Sequence, residues 1–148
     1  MRKPATILFA LVVFAAPAAG FSPTVAVLAE LGVGIVGGVA GTAVAVSVVG
    51  QVTPTFDSRA ARIAAVIVSL TIFAGLGGSA GVLAAGRLFG VSGNVRACLI
   101  GGVAGGLLSA FVEPILYRLG VPAGITEFFG FILMPTLPAI GGTIGHNR

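Results

Sequence analysis

Residues 63–85 read IAAVIVSLTIFAGLGGSAGVLAA, a run of 23 residues without a charge. A helix rises about 1.5 Å per residue, so about 20 apolar residues cross the roughly 30 Å hydrocarbon core of a bilayer. This run is long enough to do so. Runs of the same kind begin at Val25, Val95 and Ile125, and together they predict spans at about 25–50, 63–86, 95–113 and 125–145. In lipid only helices and closed barrels satisfy the backbone's own donors and acceptors. A barrel needs alternating apolar and polar residues and aromatic girdles, whereas these runs are continuous and the chain has no tryptophan and one tyrosine. The expectation is an all-α, integral membrane helical bundle of four Gly-rich spans, forming a single domain over residues 21–148.

The composition agrees. Of 148 residues, 57% are hydrophobic and 8% charged, with mean hydropathy +1.14, whereas a soluble domain carries charge on about a quarter of its residues. A single cysteine excludes an internal disulfide. The net charge of +4 and pI of 10.7 would suggest nucleic acid in a soluble domain. Here the basic residues Arg2, Lys3, Arg59, Arg62, Arg87, Arg96, Arg118 and Arg148 stand at the ends of apolar runs, where membrane proteins normally place them. The partner these numbers imply is the lipid bilayer and not nucleic acid.

Residues 1–20 have a basic start, an apolar run from Ile7 to Ala16, and then Ala16-Pro17-Ala18. That pattern predicts a cleaved signal peptide, with a short uncleaved anchor as the rival. Either one puts the start of the first span outside. Lysine and arginine in the loops do not decide the orientation: Arg59, Arg62 and Arg118 fall on one side and Arg87, Arg96 and Arg148 on the other.

The glycines are organised. The blocks Gly37-Gly38-Val39-Ala40-Gly41, Gly77-Gly78-Ser79-Ala80-Gly81, Gly101-Gly102-Val103-Ala104-Gly105 and Gly141-Gly142-Thr143-Ile144-Gly145 fall one to a span, and Gly34 and Gly106 extend two of them. Residues four apart share a helix face, so each block leaves a strip bare of side chains. Lipid gives apolar helices no hydrophobic reason to associate; close contact between backbones supplies one. The strips therefore predict tight packing, within the chain, in a homo-oligomer, or with another membrane protein. Residues 37 and 101, and likewise 77 and 141, are 64 apart, as a duplicated hairpin would leave them, although the halves match poorly outside the blocks.

Few polar residues are candidates for chemistry. Glu30 reads as an interfacial anion near a helix N-terminus. Thr126-Glu127 and Asp57-Ser58 read as helix starts. Glu113-Pro114 falls at the unfavourable C-terminal end of a span, where Arg118 could neutralise the carboxylate; the other reading is a proton or cation site. Pro135 and Pro138, flanking Thr136, predict a kinked or broken last span, as found at transport sites. Gly77 to Gly81 fits G-x-S-x-G around Ser79, and Glu113 and His146 follow in hydrolase order. The motif needs a strand-to-helix turn, however, and His146 is expected outside the bilayer core. Cys98 reads as a small packing residue. No metal-ligand spacing or cofactor-binding motif is present.

The four blocks and the signal-like start resemble, in class only, small glycine-zipper multi-pass membrane proteins, a resemblance that transfers no activity. The expected function is that of a non-enzymatic protein of the cytoplasmic membrane, built on helix packing. The alternative is a small channel or transporter using Glu113, Pro135, Thr136 and Pro138.

Overall fold

A computed structural model describes residues 22–148; the segment expected to be a signal peptide lies outside the described residues. These form four helices, α1 (Pro23–Val52), α2 (Arg59–Leu88), α3 (Val95–Arg118) and α4 (Ala123–His146), with one 3-10 turn at Thr53–Thr55 and no strand among them. All four are long and apolar enough to cross a membrane, and the protein is a multi-pass helical membrane bundle. At 1.5 Å per residue, α1 and α2 are about 45 Å long, well beyond the hydrocarbon core.

Local chemistry sets the boundaries. The side chains of Ser22, Ser58 and Asn94 accept hydrogen bonds from the backbone N–H three residues on, capping α1, α2 and α3. Helices α2 and α3 end in the same way, at Gly90 (φ +70°) and Gly120 (φ +77°). After each glycine a valine N–H reaches back five residues, from Val91 to Gly86 O and from Val121 to Leu116 O. This left-handed closure favours glycine, which has no Cβ to clash. The last helix starts earlier than expected, directly after Pro122. Thr126 is accordingly not a cap: it is buried, and its hydroxyl donates to Val121 O.

Two further boundaries differ from the expectation. Helix α3 runs through Pro114 to Arg118, and α4 passes through Pro135 and Pro138 as one helix. Proline removes a donor and crowds the preceding turn, but neighbouring helices can hold such a helix together in a membrane. Here both α4 prolines are buried against glycine: Pro135 on Gly38, and Pro138 on Gly78 and Gly105.

The packing inverts that of a water-soluble bundle. The buried apolar residues are small: Ala26, Ala45, Ala74, Ala85, Cys98 and Ala139, with Val82 the largest. The large ones face outward, Phe131 at 80% exposure and Ile100 at 71%. Small residues inside let backbones approach, while the bulky exterior meets lipid.

Each helix packs against its sequence neighbour, α1 against α4, and α2 against α4 across the bundle. Within the first hairpin Gly37 lies against the Gly77 carbonyl, Gly41 against that of Phe73, and Gly81 against that of Val33. The second hairpin repeats all three contacts 64 residues later: Gly101 on Gly141, Gly105 on Leu137, Gly145 on Ala97. In each case the glycine hydrogen occupying the Cβ direction is aimed at a carbonyl oxygen, the arrangement of a weak Cα–H···O bond. The two hairpins thus share one internal register. Between hairpins the register is not shared. Gly38 meets Pro135, whereas its counterpart Gly102 meets Ser79 and the Gly75 carbonyl, and Gly106, one turn on, meets that of Thr71.

Candidate functional site

The sparse polar side chains gather mainly at the two ends of the bundle. At one end Glu30 is fully buried. It lies on the inward stripe of α1 with Ala26, Gly34, Gly38, Gly41 and Ala45. One carboxylate oxygen is 3.0 Å from His146 Nδ1, and the other accepts from Asn147 Nδ2 at 2.6 Å. The Asn147 amide also donates to Thr143 O at 2.9 Å. His146 is 3% exposed, and its ring occupies the space that side chains at Gly86 and Gly93 would need. Its carbonyl accepts from Asn94 N at 3.0 Å. Groups from α1, the end of α2, the start of α3 and the end of α4 therefore converge on one imidazole.

The burial of both side chains within the bundle, and their meeting there, is what the sequence reading of each residue alone did not include. The periodicity of α1 explains the burial of Glu30: it is four residues from both Ala26 and Gly34, so it shares their buried face. A buried carboxylate is costly unless its oxygens are engaged, and here both are.

Along the bundle interior, the Ser79 hydroxyl lies 2.9 Å from Gly75 O and 3.1 Å from Cys98 O, while the Cys98 thiol donates back to Ser79 O. Ser79 is thus an inter-helix tie within α2, not a residue on a strand-to-helix elbow. His146 sits beside Gly86, seven residues or about 10 Å further along that helix. Glu113 lies toward the opposite end, so Ser79, Glu113 and His146 are not brought together. The Oγ1 atoms of Thr71 and Thr143 are buried without a hydrogen-bond partner among the described residues.

At the other end stands Glu113, half-buried on α3. Its carboxylate lies on Gly130 of α4, in the space a Cβ there would fill. The expected ion pair with Arg118 is not formed; the one contact of ion-pair length between a basic and an acidic side chain among the described residues is His146–Glu30. The helix accounts for this. Residues five apart point about 140° away from one another, and only the i+3 and i+4 positions face residue i. Glu113 and Ser109 line a cavity of about 240 Å³ whose walls include Ile67, Leu70 and Met134. Pro135, Thr136 and Pro138 do not join it: the prolines pack on glycine, and the Thr136 hydroxyl donates to Ile132 O at 2.6 Å.

Of the glycines singled out in the sequence, Gly34, Gly37, Gly38, Gly41, Gly77, Gly78, Gly81, Gly101, Gly102, Gly105, Gly106, Gly141 and Gly145 have a neighbouring helix where a side chain would stand, and Gly142 has ordinary room. Sequence reasoning missed Gly75, packed on α3, and the seats at Gly86, Gly93 and Gly130. These stand outside the repeated blocks; only Gly86 has a glycine four residues away, at Gly90. No three metal-binding side chains come together among the described residues. No family model, curated protein or solved structure matches the chain.

Proposed function

We propose that this is a non-enzymatic integral protein of the cytoplasmic membrane whose glycine faces act as a glycine zipper. The zipper joins each pair of consecutive helices and then the two hairpins to one another. The observation that carries the reading is the repeated register of Gly37–Gly77 and Gly101–Gly141, where backbone meets backbone in both hairpins. Because the strips are occupied within the chain, their first role on this reading is intramolecular. Association with a second copy or another membrane protein falls to the outward surface.

A path along the bundle axis finds less support. At Gly75, Gly78 and Gly102 not even a methyl group fits: an added Cβ would meet Val103 Cα at 2.8 Å, Pro138 Cβ at 2.9 Å and the Ser79 hydroxyl. The channel or transporter alternative therefore draws on Glu113 alone.

The test is to replace Gly37 and Gly101 separately by leucine in the full chain and to follow folding in detergent micelles by sizing and helix content. Both variants are expected to lose the wild-type elution position and part of the helix content. Wild-type sizing for either would sink the reading.

A further inference from the structure

The two carboxylates of the bundle interior are in opposite circumstances. Glu30 has both oxygens engaged. Glu113 makes no ion pair or hydrogen bond among the described residues, yet it is held in place, seated on Gly130 and lining a cavity. We propose that Glu113 is the anionic anchor of a binding site for a small apolar cation, an amine or quaternary ammonium with a hydrophobic body, taken up from the bilayer.

Three features select that chemistry. An anionic carboxylate against aliphatic walls is costly in a membrane unless a counter-charge reaches it. The protein's nearest candidate in sequence, Arg118, makes no ion pair with Glu113; it lines the adjoining cavity, which shares Ile63, Ile67 and Pro114 with this one. The cavity, about 240 Å³, has room for roughly eight water-sized groups, so the ligand can have a body as well as a charge. The walls formed by Ile63, Val66, Leu70 and Met134 suit an apolar body. A bare metal ion suits the site poorly: hard cations need several oxygen ligands, and no cluster of metal-binding side chains is present among the described residues. The cavity opens on the outer surface of the bundle, where its lining residue Ile63 is 50% exposed. The site does not depend on the zipper reading, which concerns different residues.

The experiment uses the full chain in lipid nanodiscs, titrated calorimetrically with hexyltrimethylammonium and with 1-hexanol as the neutral comparison; empty nanodiscs of the same lipid supply the background. Saturable binding of the cation is expected, with an affinity at least about tenfold above that of hexanol, and Glu113→Gln should reduce it at least about tenfold. Equal binding to Glu113→Gln, or no binding above background, overturns the proposal.

A second measurement on the wild-type chain covers failure of the variant to fold. Dicyclohexylcarbodiimide adds to carboxyl groups to give a stable N-acylurea, located by mass spectrometry. The cation should slow labelling of Glu113 and leave the exposed Glu127 unchanged; an unchanged rate at Glu113 overturns the site. Repeating the titration with and without phosphatidylethanolamine separates two sources of the ammonium. Competition assigns the site to a lipid headgroup and its absence to a free cation, and both results uphold the anchor.

Discussion

Glu30 and His146 are 116 residues apart in the chain and 3.0 Å apart in the fold, with both side chains sealed from solvent. The pair ties the last helix to the first, and Asn94 N on the His146 carbonyl adds the third.

Removing His146 leaves one oxygen of buried Glu30 without its partner while Asn147 still holds the other, which costs about 1–3 kcal/mol. His146→Ala is therefore expected to destabilise the chain by about that much in detergent-based unfolding. In a double-mutant cycle with Glu30→Gln, the two losses should fall short of adding. Strict additivity would show that the two side chains do not act on each other.

Single methyl groups should act with opposite signs at different glycines. A Cβ at Gly41 meets the Phe73 carbonyl, whereas one at Gly32 meets nothing within 4 Å. Gly41→Ala should cost about 1–3 kcal/mol through overpacking. Gly32→Ala should gain about 0.5–1 kcal/mol, because alanine loses less backbone entropy in a helix. Unfolding curves of the two variants check the sign.

The shared register makes a paired prediction. Gly81→Ala and Gly145→Ala drive a methyl into the equivalent carbonyls, of Val33 and Ala97. Their stability losses should agree within about 1 kcal/mol, inside the usual range for overpacking. A neutral effect at one and a large loss at the other would show that the two hairpins only look alike.

Gly120 closes α3 at φ +77° with open space around it. Gly120→Ala should cost about 1–2 kcal/mol from backbone strain alone. Gly124→Ala, four residues on and equally open, should show no such loss.

The spans and the glycine strips were legible because both are periodic: length sets the span, and a spacing of four sets the face. The polar sites were not. Glu30 and His146 carry no mutual spacing, and although the place of Glu30 on the stripe of Ala26 and Gly34 argued for its burial in the bundle, nothing named the partner it meets there. Pro135 and Pro138 suggested a kink or a break, and the helix is not broken. Proline predicts a break when water or empty space is the alternative, but here glycines on neighbouring helices receive the rings. Gly130 was invisible in the same way, since a lone glycine announces a close approach without naming the visitor.

The duplicated register has a bearing on how different the halves must be. At the 64-residue offset, Glu30 corresponds to Asn94, His146 to Val82, Glu113 to Val49 and Gly130 to Val66. Two copies of the first hairpin would supply two acids and no imidazole at that end. Two copies of the second would have the imidazoles and no acid between them at that end. What the hairpins hold in common is a backbone frame; what each contributes to the polar ends is held by one half alone. A symmetric ancestor or redesign could keep the frame, but neither polar end as it stands here could be assembled from it.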